Sequence, residues 1–249
     1  VSTVSAYAGW PVEPLTEDSA VLDAPADADA DFGVDVEDGP TRYGYQKAGC
    51  EVAVRLAVGA ERSVILRPGV VLGPREYVGR LIWWLNRIRR GGRVIGPGSP
   101  ERTIQPVDVR DVAGFVCTCV REGLGGDFNV TAPIGSATFG VLLAGCARVT
   151  GGEAAVQWVD DELLLSLGVR QWSEMPLWRV SEGVWQVSSE RAVAAGLRTR
   201  TLADTIEDTW RWMQSGDTVD GRDRAAEVGL TADREVQLLH AIDARVAQP

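Results

Sequence analysis

The sequence contains few of the residues on which most hydrolytic and metal sites depend. Among its 249 residues there is one histidine, His240, and there are four cysteines, at positions 50, 117, 119 and 146. The cysteines have neither the spacing of metal ligands nor that of a disulfide framework. A Gly-x-Ser-x-Gly motif does not occur either. These absences argue against a metal enzyme and against a serine hydrolase with a catalytic histidine, and we expect His240 to lie at the surface.

Long apolar runs are also missing. The longest stretch without a charged residue, Phe128 to Ala147, contains Asn129 and Pro133, so it does not resemble a membrane span. The chain does not open with a basic segment followed by an apolar one, which argues against a secretory signal. Because the cysteines show no disulfide pattern, a reducing cytoplasm is the predicted location. Hydrophobic residues make up 45% and charged residues 24%, which is typical of a globular protein.

The net charge of −10 comes from one segment of the chain. Ten acidic and no basic residues fall between Glu13 and Asp38, and the remainder has 25 acidic and 25 basic residues. Because the run from Ala24 to Pro40 has few large apolar residues, it is predicted to be a flexible, solvated loop. The balanced remainder gives no reason to expect a nucleic-acid partner.

One lysine stands out among the basic residues. Of the 25 basic residues 24 are arginines, and Lys47 is the exception. Where arginine supplies nearly every other positive charge, a retained lysine indicates a site that needs a compact ammonium group on a flexible stem. Tyr43 precedes it by four residues on a predicted helix, so the two side chains share one face. A neighbouring ammonium lowers the pKa of a phenol, which makes tyrosine a usable proton donor or acceptor.

Strands and helices alternate over the first 131 residues. The β-branched start, residues 1–8, favours a strand that runs into a loop. Further strands are predicted at 63–66, 103–107 and 128–131, and helices at 43–59, 77–90 and 111–122. The first helix is expected to bury a stripe of Ala48, Val52 and Leu56, and the second to keep its arginines outside. This alternation predicts parallel βαβ units. The cluster Gly123 to Gly126 precedes a strand, so it is interpreted as a turn.

The pattern loosens beyond Pro133. Helices are predicted at 139–149, 160–167 and from Thr201 through Met213, with a strand at 155–159. Residues 172–185 are rich in tryptophan, which fits either core packing or an apolar substrate pocket. Residues 214–221 have the composition of a polar linker. Thr231 is expected to cap a last helix that buries Val236, Leu239 and Ile242.

Four motifs in this order resemble a known family. They are Ser2-Thr3-Val4-Ser5-Ala6-Tyr7, Tyr43-Gly44-Tyr45-Gln46-Lys47, Leu66 through Pro74 (LRPGVVLGP) and Pro106 through Ala113 (PVDVRDVA). Together they resemble the extended short-chain dehydrogenase/reductase family of NAD-dependent epimerases and dehydratases, over residues 1 to about 213. The resemblance implies an α/β fold with the C-terminal part of a Rossmann-type parallel sheet and a smaller mixed α/β substrate domain. The implied segments are 1–131 for the dinucleotide-binding domain, with 75–101 contributing to the substrate domain, then 132–213 for the substrate domain, and 214–249 for a linker and helical tail.

The resemblance also implies an active site. Its catalytic residues would be Thr3, Tyr43 and Lys47, with Ser5 near the substrate. The cofactor, NAD or NADP, would be bound by Tyr43, Lys47, Pro68, Gly69 and Val70. The implied activity is proton transfer coupled to hydride transfer on a small hydroxyl or carbonyl compound. No metal is expected, and a homodimer stays open.

Two departures from the family pattern affect these expectations. The acidic segment lengthens the spacing between Thr3 and Tyr43, which places it beside the site as a candidate lid. The glycine-rich turn that binds the pyrophosphate, expected upstream of Thr3, does not occur in this sequence. About three or four βα units of roughly 30 residues would carry it. We therefore expect an N-terminally truncated fragment that is inactive alone.

An alternative function is a non-catalytic regulatory or nucleic-acid-binding member of the same fold. Five arginines between Tyr77 and Arg93 form its candidate basic patch, namely Arg80, Arg87, Arg89, Arg90 and Arg93. A solvated helix face explains them as well. Tyr43 with Lys47 favours the enzyme, whereas salt-dependent nucleic-acid binding would favour the alternative.

Overall fold

A computed structural model describes residues 1–27, 29–36, 39–217 and 228–246. The chain forms two compact units that interleave along the sequence. Unit 1 comprises Val1–Val71, Gln105–Ser136 and Ser181–Arg200, and unit 2 comprises Leu72–Ile104, Ala137–Val180 and Thr201–Pro249. Residues 75–101 thus lie in unit 2. Residues 181–200 lie in unit 1, so the expected substrate segment 132–213 is shared between the units.

The regular elements follow the alternation expected from the sequence. In the first half of the chain they are α1 (Arg42–Val58), β1 (Val64–Pro68), β2 (Val70–Leu72), α2 (Arg80–Arg89), β3 (Gly92–Pro97), β4 (Thr103–Ile104), β5 (Pro106–Asp108) and α3 (Val109–Glu122). In the second half they are β6 (Gly126–Val130), β7 (Ala137–Thr138), α4 (Phe139–Thr150), β8 (Ala154–Val159), α5 (Asp161–Ser166), α6 (Glu190–Ala194), α7 (Leu202–Gln214) and α8 (Ala232–Val246). Residues 218–221 of the predicted linker lie outside the described residues.

Two strand pairs lie along unit 1, and the longer of them is parallel. Strands β1 and β6 pair in register from Val64 opposite Gly126 to Pro68 opposite Val130, and β2 and β5 form a second pair. Helix α3 begins after the Asp108 cap and ends at Gly123, whose φ of 62° is left-handed. The glycine cluster after α3 is therefore a helix-terminating turn, as predicted. An α/β fold with parallel βα units is confirmed.

The core of unit 1 lies between this sheet and α3. Leu66, Val107, Phe115 and Phe128 are all buried in one cluster. The rings of Phe115 and Phe128 meet edge to face with centroids 5.4 Å apart. Aromatic pairs in this geometry contribute beyond the area that they bury.

The expected strand at residues 1–8 is wrong. Residues Val4–Ala6 form a short 3₁₀ helix, and Tyr7 makes only an isolated bridge to Val21. The Thr3 hydroxyl accepts a hydrogen bond from the Ser5 backbone N–H, at 3.2 Å. A side-chain bond of this kind stabilises a turn in competition with a strand ladder. Local polar chemistry therefore overrides the β-branched composition.

The buried stripe expected on α1 is also wrong beyond Ala48. Val52 and Leu56 are 38% and 77% exposed, whereas Gly44, Ala48, Gly49 and Glu51 are buried. The helix packs through small residues that allow close approach and through one buried carboxylate. Periodicity of apolar residues does not detect a face of this composition.

The acidic segment from Glu13 to Asp38 is packed in its first half. Leu15, Leu22 and Ala24 are buried, and Leu15 forms a β-bridge with Val187. The Glu17 carboxylate is buried and accepts the backbone N–H of Asn129 at 3.0 Å. The predicted flexible loop, Ala24 to Pro40, is thus preceded by a packed stretch, and its first residue, Ala24, is itself buried. Within the described part of 25–36, most residues are exposed, as expected.

Unit 2 contains a parallel pair, β3 with β8, and an antiparallel pair, β4 with β7. The apolar face of α2 is buried as predicted, with Leu81, Trp84, Leu85 and Ile88 at 0% exposure. Trp84 meets Phe139 edge to face at 6.0 Å. Its indole N–H donates to the Pro176 carbonyl at 2.9 Å, which satisfies the buried polar atom.

One arginine of α2 is inside unit 2, contrary to expectation. Arg87 is 6% exposed, and its Nε lies 2.7 Å from both carboxylate oxygens of Glu235 on α8. Helix α8 correspondingly buries Glu235, Leu238 and Ile242, whereas Val236 is 52% exposed. The predicted face of α8 is thus confirmed at Ile242, half-buried at Leu239 and wrong at Val236, because the buried face runs through Glu235 and Leu238.

The predicted helix caps in unit 2 are confirmed. Thr201 and Asp204 form a reciprocal capping box at the start of α7. The Thr231 hydroxyl accepts the Arg234 backbone N–H at 3.2 Å. In the tryptophan-rich segment, Trp178 is fully buried and donates to Asp161 at 2.8 Å, which fits core packing. Trp172 is partly exposed, and the guanidinium groups of Arg80 and Arg179 lie 5.0 and 5.9 Å from its ring centroid.

Candidate active site

The segment that carries Thr3 and Ser5 runs beside strand β1. The Ser2 backbone N–H donates to the Leu66 carbonyl at 2.6 Å. Thr3 is 8% exposed, and its hydroxyl caps the short 3₁₀ helix. Ser5 is partly exposed. These contacts place the predicted Thr3 next to the strand that leads to Pro68.

Helix α1 presents Tyr43 and Lys47 in its first two turns. Thr41 caps the helix by accepting the Gly44 backbone N–H at 3.0 Å. Tyr43 is 52% exposed, which leaves the side chain half open to solvent. The Lys47 ammonium donates to the carbonyl of Val1 at 2.7 Å. The lysine therefore points to the segment that carries Thr3.

Gly44 sets how closely α1 approaches that segment. A Cβ at this position would lie 2.2 Å from the Ser5 carbonyl oxygen and 3.1 Å from Leu22 Cδ1. Only a residue without a side chain permits this contact. The structure thus brings the helix turn of Tyr43 and Lys47 against the segment of Thr3 and Ser5, although 40 residues separate Thr3 from Tyr43 in sequence.

Pro68, Gly69 and Val70 lie where β1 ends. Pro68 is buried, and Gly69 and Val70 are partly exposed. The Gly69 N–H donates to the Val130 carbonyl at 3.3 Å. A Cβ on Gly69 would lie 2.8 Å from Thr131 Cγ2, so this turn has no room for a side chain on that side. The three residues continue the strand beside which Ser2 runs.

A buried polar network lies beneath these elements, and the sequence analysis did not find it. Arg67 is 1% exposed and pairs with Glu51 through two hydrogen bonds, Nε to Oε1 at 2.9 Å and Nη2 to Oε2 at 2.6 Å. It also donates to the Tyr7 hydroxyl at 2.9 Å and to Asp127 at 3.0 Å. Bidentate arginine–carboxylate pairs combine strength with fixed geometry. The network therefore fixes α1, β1 and the segment around Tyr7 to one another.

Tyr7 closes the network on its far side. Its hydroxyl donates to the Asn129 side-chain oxygen at 2.8 Å, and the Arg67 guanidinium lies 4.7 Å from its ring centroid. Burial raises the pKa of the Tyr7 phenol, although the charge of Arg67 acts in the opposite direction. The phenol stays protonated and serves as a donor. One signal for this network was available in the sequence, namely an arginine that directly follows the apolar strand residues Val64 to Leu66.

The candidate basic patch on and after α2 receives no support from the structure. Three arginines of the proposed basic patch form ion pairs: Arg80 with Glu76, Arg87 with Glu235 and Arg93 with Asp243. His240 is exposed, as expected.

Neither a metal cluster nor a membrane-spanning helix occurs among the described residues. No cluster of three or more His, Cys, Asp or Glu side chains there is arranged to hold a metal ion. Over the same ranges, no helix combines the length and the apolar character that crossing a bilayer requires.

Comparisons with known proteins identify the fold. No family model and no curated protein sequence matches the chain. Among solved structures, the UDP-glucose 4-epimerase of Thermotoga maritima with UDP-glucose is 18% identical over 86% of this chain and 62% of its own, with a TM-score of 0.58. The UDP-glucose 4-epimerase of Thermus thermophilus with NAD is 17% identical over 87% and 62%, with a TM-score of 0.53. The protein RMD of Pseudomonas aeruginosa with NADPH is 15% identical over 87% and 65%, with a TM-score of 0.53.

This chain therefore spans somewhat less than two thirds of the length of those proteins. At these identities the comparisons establish the fold, which agrees with the resemblance that the sequence motifs predicted. The chain has a Rossmann-like α/β fold similar to that of these UDP-glucose 4-epimerases.

Proposed function

We propose that Thr3, Tyr43 and Lys47 form the proton-transfer site of an NAD(P)-dependent oxidoreductase or epimerase-type enzyme. The observation that carries the proposal is the contact between α1 and the N-terminal segment. Lys47 reaches the Val1 carbonyl at 2.7 Å, and Gly44 lies against Ser5. The proposal is supported by the packing of the helix turn that carries Tyr43 and Lys47 against the segment that carries Thr3 and Ser5.

Each of the three side chains has a distinct role in this proposal. Tyr43 exchanges a proton with the hydroxyl or carbonyl oxygen of a small substrate, for which its half-exposed position is suited. The Lys47 ammonium favours the phenolate form of Tyr43 and donates to ribose hydroxyls. Thr3 donates a hydrogen bond to the substrate oxygen on which charge develops. Ser5, partly exposed in the same segment, contacts the substrate.

The residues present fit the nicotinamide–ribose end of a dinucleotide. Lys47 offers a cationic donor, and Pro68, Gly69 and Val70 offer a narrow turn in which a side chain on Gly69 would collide with Thr131. When bound, the nicotinamide accepts or returns the hydride that accompanies the proton moved by Tyr43. The pyrophosphate end has no Gly-x-Gly-x-x-Gly turn in this sequence. We infer that the chain alone holds a dinucleotide weakly, at best with millimolar affinity, about −4 kcal/mol.

The lysine itself provides a direct binding test. Because Lys47 is the one lysine of the chain, labelling with ¹⁵N in the lysine side chain gives a single NMR signal. Millimolar nicotinamide mononucleotide should shift this signal, since its ribose is the proposed partner. Adenosine monophosphate is the matched control and should leave it unchanged. Equal shifts with both mononucleotides, or none with either, would contradict the assignment.

Turnover tests the role of Tyr43. In a form of the protein that converts substrate, Tyr43→Phe should lower kcat by at least about 10²-fold, the lower range for general acid–base catalysis. The variant should remain folded, because it loses one half-exposed hydroxyl. Tyr45→Phe is the matched control, since Tyr45 lies on another side of α1 and is packed against the Leu22 cluster. Full activity of Tyr43→Phe would sink the proposal.

We also propose that the chain acts in the cytoplasm and as a homodimer. A reducing cytoplasm accords with the four free cysteines, and a homodimer would be tested by measuring the mass of the chain in solution. The ion pairs of Arg80, Arg87 and Arg93 give no support to the nucleic-acid-binding alternative.

A further inference from the structure

The buried network contains a carboxylate one helical turn from the proposed catalytic lysine. Glu51 follows Lys47 by four residues on α1, so the two side chains are neighbours on the helix surface. Glu51 is 4% exposed. A carboxylate at this spacing attracts an ammonium, and the attraction is stronger where water is excluded.

The Lys47 ammonium nevertheless points elsewhere. It donates to the Val1 carbonyl, and both oxygens of Glu51 are occupied by Arg67 at 2.9 and 2.6 Å. Arg67 approaches from β1 and is itself buried, so it cannot exchange freely with water. Its planar fork matches the two carboxylate oxygens, which a lysine cannot do.

We infer that Arg67 is a positioning residue for Lys47: by holding both oxygens of Glu51, it keeps this carboxylate from capturing the ammonium. The inference rests on the proposed function of Lys47. An ammonium paired with Glu51 would be turned away from Tyr43, and its charge would be neutralised. Arg67 thus leaves the lysine available for the phenol and for ribose hydroxyls.

The other charged groups around Glu51 have their own partners. Arg55, on the same helix, lies 3.8 Å from Glu51 but 2.7 Å from Asp127 on β6. Asp127 also accepts from Arg67 at 3.0 Å. Tyr7 packs on Arg67 and donates to Asn129. Arg67 therefore makes the closest and only bidentate contact to Glu51 among the described residues.

The single lysine signal tests the inference without cofactor or turnover. In Arg67→Met, Glu51 is released and should pair with Lys47. The pH midpoint of the ¹⁵N-lysine titration should then rise by at least about 0.3 unit, which corresponds to an i,i+4 ion pair of about 0.4 kcal/mol at 1.36 kcal/mol per unit. Arg55→Met is the matched control, since it removes a guanidinium from the same network but leaves both Arg67–Glu51 bonds. Its midpoint should stay within about 0.1 unit of the parent.

A double variant keeps the test decisive if Arg67→Met does not fold. Glu51→Leu with Arg67→Met replaces the buried pair by apolar groups, a change that proteins often tolerate. If Arg67 already screens Glu51, removing both leaves the lysine midpoint unchanged. A lower midpoint would mean that Glu51 acts on Lys47 in the parent chain, and an unchanged midpoint in folded Arg67→Met would mean that it never does. Either result overturns the inference.

These outcomes separate the inference from the proposed function. Failure of nicotinamide mononucleotide to shift the Lys47 signal would contradict the proposed function. The screening of Glu51 by Arg67 is measured in the same signal without any nucleotide.

Discussion

Replacing Gly44 with alanine adds one methyl group at the contact on which the candidate site depends. The new Cβ would lie 2.2 Å from the Ser5 carbonyl oxygen, whereas carbon and oxygen atoms in close contact are about 3.3 Å apart. The helix and the segment must therefore separate by about 1 Å. Because the atom opposite is backbone, no side-chain rotation relieves the clash.

The expected cost follows from this geometry. Overpacking of a tight contact costs about 1–3 kcal/mol, and alanine recovers only part of that through helix propensity, since Gly44 lies in the first turn of α1. Urea unfolding monitored by circular dichroism should show the loss as a lower midpoint with an unchanged m value. The Lys47 NMR signal should also shift, because the helix moves relative to Val1.

Gly114→Ala is the matched control for Gly44→Ala. Gly114 lies within α3, and a Cβ there would meet nothing within 4 Å. Alanine should therefore raise stability by about 0.5–1 kcal/mol through helix propensity alone. If Gly44→Ala proved as stable as Gly114→Ala, the close approach of α1 to Ser5 would not exist in solution, and the proposed site would lose its geometry.

Three further perturbations test other parts of the structure. Deleting residues 26–31 should lower the unfolding free energy by no more than about 1 kcal/mol, because the described residues among them are exposed or half-buried and Phe32, which packs against the Leu22 cluster, is kept. Leu22→Ala, by contrast, should cost about 2–5 kcal/mol. A large effect of the deletion would contradict the exposed assignment. Burial raises the pKa of the Glu76 carboxyl in the folded state. The stability that Glu76 contributes is therefore complete below pH of about 4 and is lost as the pH rises through the folded-state pKa. Glu76→Gln should abolish this loss in urea unfolding measured as a function of pH. Arg67→Met should cost about 3–5 kcal/mol because it breaks the buried bidentate pair with Glu51. Adding Glu51→Leu should recover most of that loss, and a single variant as stable as the parent would show that the pair is unimportant.

The sequence predicted most elements because their cues are local. The apolar face of α2, the helix caps at Thr201 and Thr231 and the glycine turn after α3 depend on residues within a few positions of one another, and the structure has them as expected. The prediction of a strand at residues 1–8 was wrong because it used the local composition alone. Composition there favours a strand, but the Thr3 hydroxyl and the contact with Leu66 select a turn.

Long-range contacts account for the remaining failures. Leu15 and Glu17 lie in a segment whose composition is that of a loop, yet Val187 and Asn129 bury them from 172 and 112 residues away. Arg87 looks like a surface residue until Glu235 is placed beside it. Period and composition describe a segment by itself, so neither can anticipate a partner of this kind.

The candidate site contains residues of both kinds, some that local patterns identify and some that only long-range contacts reveal. Tyr43 and Lys47 could be singled out from sequence because their spacing on a helix and the scarcity of lysine are local facts. Glu51 could not, since a carboxylate on a helix is usually solvated, and only Arg67 from β1 shows that it is buried. Yet the charge of Glu51 lies one turn from Lys47, so the chemistry of the lysine depends on a pair that local patterns cannot detect. A motif of tyrosine and lysine therefore identifies where proton transfer could occur, whereas the buried arginine beneath it determines whether the ammonium is free to assist.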